Sequence, residues 1–126
     1  MWQLSGQKVI IDPITNAEEI IEIQRLVDTV YVDHIVLEYI KDIVFKTRND
    51  PQIAIGCGPR ASLTLMKTAK ARAAILGRDY ITPDDVKELC IPVLNHRIGL
   101  KAEAELEGLS TTAVINRILS EVLVPM

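Results

Sequence analysis

The chain has 126 residues with a formal net charge of −3, and 48% of them are hydrophobic but only 4% aromatic. This length suits one domain with its own core, and the Ile, Leu, Val and Ala content favours packed helices over an aromatic-rich β-sandwich. The acidic balance gives no electrostatic reason to bind DNA or RNA, so we expect no nucleic-acid partner.

Cysteine and histidine positions do not suggest a metal site. Cys57 and Cys90 lack a CxxC spacing, and His34 and His96 are far apart. We expect reduced thiols and no bound metal. Residues 1–8 lack the basic start and apolar run of a secretory signal, and no apolar run approaches the roughly 20 residues that span a bilayer. The prediction is a cytoplasmic protein without a transmembrane segment.

Taken in chain order, residues 1–14 show little helical periodicity, and Pro13 limits any helix there. We predict a lead-in or linker from a preceding domain over 1–14 and one folded domain over 15–126. A first helix is predicted over about 17–30. Two overlapping capping boxes stand at its start, Thr15 with Glu18 or Asn16 with Glu19. Its apolar residues at helical spacing are Ile20, Ile23, Val27 and Val30.

Three further helices have clear start and stop signals. Asp33 is a candidate N-cap for the second, which stops at 49–51. The third runs from Pro59 to Gly77, and the fourth starts at 82–85, with Pro92 expected to kink or divide it. The predicted buried stripes are Val36, Tyr39, Ile40, Ile43 and Val44, then Leu65, Met66, Ala69, Ala73 and Leu76, then Val86, Leu89, Cys90, Val93 and Leu94.

Short β-prone pieces at 30–32 and 79–81 precede the second and fourth helices, and we predict a small pairing between them. Residues 96–100 are a candidate extended segment. The acidic stretch Glu103–Glu107 is expected to be a solvated loop. Ser110 can cap a last amphipathic helix that ends near Pro125. These elements predict an all-α fold, a compact helical bundle with at most very short β pairing.

Signals for catalysis are absent from the sequence. It contains neither the phosphate loop GxxxxGK(S/T) nor the nucleophile motif GxSxG. Asp84 and Asp85 are adjacent on a helix, so they point in different directions, and we interpret them as capping residues. His96 has no visible partner, which favours a structural or surface role.

One candidate binding site lies at the start of the third helix. Gly58 can cap this helix, and Pro59 suits its first position. Arg60 then stands in the first turn, beside the positive end of the helix dipole, where a cation is mildly unfavourable. Free backbone N–H groups together with a guanidinium suit an anion such as phosphate. A polar, basic stripe continues from this point and is either a solvated face or part of the site: Thr64, Lys67 and Lys70.

Several ordered motifs carry a family resemblance: GPRASL at 58–63, AKARA at 69–73, GRDYITPDDV at 77–86 and VLNHR at 93–97. With YVD at 31–33 and TR at 47–48, they resemble the C-terminal lid domain of MoxR-type AAA+ ATPases. The resemblance extends from about residue 15 to the end of the chain.

The resemblance implies that Arg60, with Gly58 and Pro59 at the same helix start, binds nucleotide. Arg60 corresponds to the family's sensor 2 arginine, which reaches the γ-phosphate of ATP held by the preceding nucleotide-binding domain. Mg-ATP is then the cofactor of the parent protein, with none tightly bound to this chain alone. The family commonly has serine where this chain has Gly58, but glycine is also a permitted cap.

The implied function is to help bind ATP and to couple its hydrolysis to chaperone-like remodelling or maturation of client proteins. The implied partners are the preceding AAA+ core, further subunits of a homo-oligomeric ring, and an unidentified client. The phosphate loop, the Mg²⁺-binding acids and sensor 1 are missing, so we expect no catalysis by this chain alone. The alternative is a free-standing helical interaction or regulatory module, favoured by the complete set of caps and the start at Met1.

Overall fold

Helices dominate the computed structural model, which describes residues 8–125. This part of the chain forms α1 (Ala17–Asp28), α2 (His34–Asn49), β1 (Ile53–Ile55), α3 (Pro59–Ile75), α4 (Pro83–Leu94), a 3-10 turn (Asn95–Arg97), β2 (Gly99–Leu100), α5 (Ala102–Leu106) and α6 (Thr111–Glu121). The predicted all-α class with very short β pairing is confirmed. Of the predicted lead-in segment, residues 1–7 lie outside the described residues, and 8–14 are exposed without helix or strand.

Side-chain caps start four of the helices where the sequence predicts them. Of the two caps predicted for α1, Thr15 and Asn16, the structure has Asn16. Its Oδ1 accepts a hydrogen bond from the backbone N–H of Glu19 at 2.8 Å. The other three predicted caps are also present: Asp33 on α2, Thr82 on α4 and Ser110 on α6. These caps satisfy N–H groups that would otherwise lack a partner, so local sequence sets the helix starts.

The end of α3 depends on a glycine. Gly77 has φ +78°, its N–H donates to Ala74 O at 3.0 Å, and the Arg78 N–H donates to Ala73 O at 2.8 Å. This is a Schellman motif. Its residue after the helix end has a positive φ, a left-handed backbone conformation that glycine adopts most easily. The helix stops at Ile75, two residues before the predicted boundary.

The core lies where α3 packs against α2 and α4, with α6 closing one side. All five predicted stripe residues of α2 are buried, as are Leu65, Ala69 and Ala73 of α3. The small alanines let neighbouring helices approach closely. Leu76 is an error of prediction: it is 55% exposed, because it follows the last helical residue and leaves the buried face.

The first helix is shorter and less covered than predicted. It ends at Asp28, and of its predicted apolar stripe only Val30, beyond the helix end, is buried. Ile20 and Ile23 are 45% and 56% exposed. A hydrogen bond from Lys70 Nζ to Asp28 O, 3.2 Å long, fastens the end of α1 to α3. The apolar face of α1 is therefore open within residues 8–125.

Two small β contacts join the helical layers. Tyr31 pairs with Tyr80 in an isolated parallel bridge, which confirms the predicted pairing of 30–32 with 79–81. The antiparallel strands β1 and β2 also pair, but only 99–100 of the predicted extended segment is strand. His96 and Arg97 instead lie in the 3-10 turn that continues α4.

One further expectation needs correction, and one is narrowed. Residues 102–106 form the short helix α5, because Ala104 is buried while the flanking acidic side chains stay exposed. Pro92 does not divide α4, which continues to Leu94. Pro92 and Glu88 both lie on the exposed side, so the Glu88 carbonyl that loses its helical donor lies near solvent.

Candidate anion-binding site

The loop before α3 is held firmly on α2. A Cβ at Gly56 would lie 2.5 Å from the Thr47 carbonyl oxygen and 2.7 Å from the Cα of Arg48. The Cys57 N–H donates to Thr47 Oγ1 at 3.0 Å, and that buried hydroxyl donates to Val44 O at 2.7 Å. The close backbone approach and these two hydrogen bonds fix the position from which α3 starts.

The first turn of α3 has no side-chain cap. Gly58 occupies the N-cap position in an extended conformation, with φ −108° and ψ −168°, and Pro59 is the first helical residue. A Cβ at Gly58 would meet nothing within 4 Å. Pro59 has no N–H, and the Ala61 N–H donates to Gly58 O at 3.0 Å, so the Arg60 N–H is the donor of this turn left for an external acceptor. A serine would fit at position 58 sterically.

Arg60 follows on the exposed side of the same turn. Its carbonyl oxygen accepts a hydrogen bond from Thr64 Oγ1 at 2.9 Å. Among the described residues no carboxylate forms a salt bridge with its guanidinium. Sequence reasoning placed Arg60 correctly in the first turn, and the tertiary structure leaves its charge uncompensated.

A groove of about 240 Å³ runs between α2 and the start of α3. Its wall includes two cations of α2, Lys41 and Arg48, which sequence reasoning did not associate with the site. They stand two helical turns apart on one face, and this spacing is the signal that could have found them. Phe45 between them is 63% exposed. The groove residues are Lys41, Val44, Phe45, Arg48, Pro59 and Ser62.

Another arginine lies behind the loop. Burial raises the pKa of the Cys57 thiol, while the hydrogen bond with Thr47 and the positive charge of Arg97 act in the opposite direction. Arg97 Nε is buried and has no hydrogen-bond partner among residues 8–125. Positive charge thus approaches the 56–58 loop from two sides, α2 and the 3-10 turn.

The basic stripe on α3 separates into two parts. Lys67 is exposed, but Lys70 is half-buried and its ammonium caps the last carbonyl of α1. Thr64 bonds the backbone of its own helix. Of the stripe, only Lys67 is left as a free extension of the Arg60 surface.

Asp85 has a larger role than the predicted cap. It completes a capping box with Thr82, and its fully buried carboxylate also accepts hydrogen bonds from Arg72 and Arg78. Burial by itself raises the pKa of Asp85. The hydrogen bonds from Arg78, the Thr82 N–H and Arg72 outweigh it and lower that pKa to about 2. Arg72 and Arg78 are thirteen and seven residues from Asp85 in the sequence. At these separations no local pattern indicates that the three side chains meet.

Other predicted features occupy separate places. Cys57 and Cys90 are both buried and unpaired. Across residues 8–125, no three histidine, cysteine or acidic side chains come together in a way that could hold a metal ion. None of the helices in the same range has the length and apolar character to cross a bilayer.

The arrangement at the start of α3 is chemically suited to holding an oxyanion.

Comparison with known proteins identifies the family. Residues 45–118 match the AAA lid domain family, and the chain belongs to it. The chain is 41% identical over 116 residues to the uncharacterized protein YeaC of Bacillus subtilis, covering 92% of this chain and 36% of that protein. It is 34% identical over 121 residues to the chaperone MoxR1 of Mycobacterium tuberculosis, covering 89% and 32%.

Structural comparison agrees. A crystal structure of a presumed ATPase from Cytophaga hutchinsonii superposes with a TM-score of 0.81 at 35% identity, over 86% of this chain and 36% of that one. The chain thus spans about a third of the length of these relatives. The resemblance to the lid of a MoxR-like AAA+ ATPase is confirmed.

Proposed function

We propose that this lid helps its parent ATPase bind ATP, with Arg60 as the sensor 2 arginine that contacts the γ-phosphate in cis. One observation carries the proposal: an exposed guanidinium, unpaired among the described residues, stands in a helix turn without a side-chain cap. The guanidinium and the Arg60 N–H are therefore both available to donate hydrogen bonds to an anion.

The residues present fit a triphosphate. The N–H and the guanidinium of Arg60 provide donors, and Arg48 adds positive charge along the adjoining groove, where Lys41 is paired with Glu38 at 3.5 Å. Bound Mg-ATP would supply the phosphoryl group that is transferred to water. The chain itself contributes positioning and charge, because these side chains carry positive charge and no general base is part of the arrangement.

The anchoring of α3 explains how contact at Arg60 can move the whole domain. Gly56 and Cys57 hold the start of the helix against Thr47 of α2, and the body of α3 packs against α4. A phosphate that attracts Arg60 therefore acts on a connected bundle rather than on a loose loop. Differential contact with ATP and its product would bias the orientation of the lid.

We also propose the domain arrangement 1–14 as linker and 15–126 as lid, with an ATPase domain preceding it. The open apolar face of α1 supports a neighbouring domain, since Leu26 is 67% exposed and Ile23 56%. The similarity to the chaperone MoxR1 supports chaperone-like action on client proteins, within a ring of subunits in the cytoplasm. The client is unidentified.

The test is ATP hydrolysis by the parent protein carrying Arg60→Ala. We expect kcat to fall about tenfold or more, because the charge stabilised during phosphoryl transfer loses its arginine. Arg60→Lys should recover only part of the activity, since it keeps the charge without the planar fork. Arg25→Ala removes an exposed arginine from α1 and is the matched control, expected to keep full turnover.

Unchanged turnover in Arg60→Ala, with the protein folded by circular dichroism, would remove the sensor role. A rise in KM alone would restrict Arg60 to ground-state binding of the nucleotide. A rise in KM alone would contradict the expected fall in kcat, but it would still support anion binding at Arg60.

A further inference from the structure

A second groove lies at the opposite end of α2 from the anion site. Its volume is about 510 Å³, a size typical of ligand-binding clefts. It forms where the Tyr31–Tyr80 bridge meets the starts of α2 and α4. None of its residues belongs to the 56–60 segment, so its role does not depend on that of Arg60. The lining residues that matter are Tyr31, Asp33, Ile35, Asp79, Tyr80 and Pro83.

The apolar lining is unusually exposed. Tyr31 and Tyr80 are 62% and 48% exposed, and Ile35 is 47% exposed. Only five aromatic residues occur in the whole chain, and two of them stand on this groove. Tyrosines provide large, rigid contact area with a polar tip, which suits recognition of another chain.

The charged groups that line the groove are both acidic, Asp33 and Asp79. One carboxylate oxygen of Asp33, Oδ1, caps α2 by accepting a hydrogen bond from the Ile35 N–H. The neighbouring cation, Arg78, is held by the buried Asp85 and lies over the Tyr80 ring at 5.6 Å. Because Arg78 is already paired, it does not neutralise the groove, and the lining favours a cationic ligand.

The walls of the groove are held together by the backbone. The Tyr31 N–H donates to Asp79 O at 2.8 Å, and the Ile81 N–H donates to Tyr31 O at 3.0 Å. The side chains of Tyr31 and Tyr80 therefore project from a backbone that is already paired. A preformed surface loses little conformational entropy when a ligand binds.

We propose that the Tyr31–Tyr80 groove binds a peptide segment of a partner protein that presents a lysine or arginine beside aliphatic side chains. The cation lies against Asp79 and Asp33, and the Tyr31 ring contributes cation–π attraction, since Arg78 already lies over the Tyr80 ring. The aliphatic side chains cover Ile35 and Pro83. The acidic lining selects against segments rich in glutamate or aspartate.

The test is fluorescence anisotropy with the 126-residue chain and two short labelled peptides. In the first, lysines alternate with valine and leucine, and in the second each lysine is replaced by glutamate. We expect the lysine peptide to bind at least about fivefold more tightly than its acidic counterpart, with the difference shrinking as salt is raised.

Two variants locate the binding. Asp79→Asn should weaken the lysine peptide about threefold, and Tyr31→Ala should weaken it about tenfold, since aromatic anchors dominate interfaces. Tyr31→Ala removes an exposed side chain and leaves the backbone bridge, so circular dichroism and Tm should not change. Asp12→Asn removes the same charge from the exposed lead-in segment and is the control.

Equal binding of the two peptides would overturn the proposal, as would binding that neither groove variant alters. Concentration-dependent self-association that Tyr31→Ala abolishes would identify a second copy of this chain as the occupant and would equally overturn it. Weaker binding of the lysine peptide in both groove variants, with Asp12→Asn unchanged, supports it.

Discussion

Arg78 meets Asp85 at two points, with Nη2 donating to Oδ1 at 2.6 Å and Nη1 donating to Oδ2 at 2.8 Å. Asp85 is fully buried in the first turn of α4, whereas Arg78 belongs to the loop that follows α3. Arg72, from the body of α3, donates to the same carboxylate. The cluster therefore fixes the angle at which α4 leaves α3 and supports one wall of the Tyr31–Tyr80 groove.

Asp85→Asn should destabilise the chain by about 3 kcal/mol, because it leaves two arginines beside a buried neutral amide. Urea unfolding followed by circular dichroism measures the loss. Asp84→Asn is the matched control: Asp84 is exposed in the same turn, and its replacement should cost about 0.5 kcal/mol. Equal losses in the two variants would contradict a special role for the buried cluster.

Acid should weaken the fold through the same carboxylate. The pKa of Asp85 is lowered to about 2 in the folded chain, against an ordinary value of 3.8. The unfolded chain therefore binds this proton first as the pH falls. The stabilisation, on the order of 2 kcal/mol, is fully present above about pH 4 and is lost as the pH falls through about 2.

The measurement for this effect is urea unfolding at a series of pH values from about 6 to 2, for wild type and Asp85→Asn. The gap between the two unfolding free energies should narrow toward the acid end. A constant gap would show that the Asp85 carboxylate does not titrate with a lowered pKa.

Gly58→Ser should stabilise the chain by about 0.5 kcal/mol. The backbone at Gly58 is extended, and a Cβ there meets nothing within 4 Å. The serine hydroxyl can accept a hydrogen bond from the uncapped first turn of α3, and the unfolded chain loses freedom. A rise in Tm on thermal unfolding checks this, and a fall would mean that the added hydroxyl does not cap the helix.

Gly56→Ala should act in the opposite direction, with a loss of about 2 kcal/mol. The new Cβ would meet the Thr47 carbonyl oxygen at 2.5 Å, and this is backbone that cannot move aside without displacing α2. Gly58→Ala, two residues away in open space, is the control and should change stability much less. Similar losses for the two alanine variants would contradict the close approach of the loop to α2.

Local signals in the sequence predicted most of the elements and one side of the candidate site. Helix caps and glycine stops act within a few residues, so the sequence shows them without knowledge of the fold. Here they are the caps at Asp33, Thr82 and Ser110 and the stop at Gly77. The position of Arg60 in the first turn of α3 follows from the same local rules. Strand β1 and helix α5 were missed because they are short and depend on packing and pairing with distant residues.

Periodicity shows that a helix has an apolar face but not what covers that face. Ile20 and Ile23 repeat as regularly as Ile40 and Ile43, yet the first pair is exposed and the second buried. The difference is set by which helices pack on them, and this is a property of the whole chain.

By itself, the sequence determined the helical class, the helix starts and the placement of Arg60 in the first turn of α3, because these depend on contacts within about four residues. Only the tertiary structure decided that Lys41 and Arg48 border that turn. It also decided that Lys70 bonds the last carbonyl of α1 and that two arginines bond Asp85. It also brought Tyr31 and Tyr80 together as one groove. These relations join residues far apart in the chain, and only the packing of complete helices sets the distances between them.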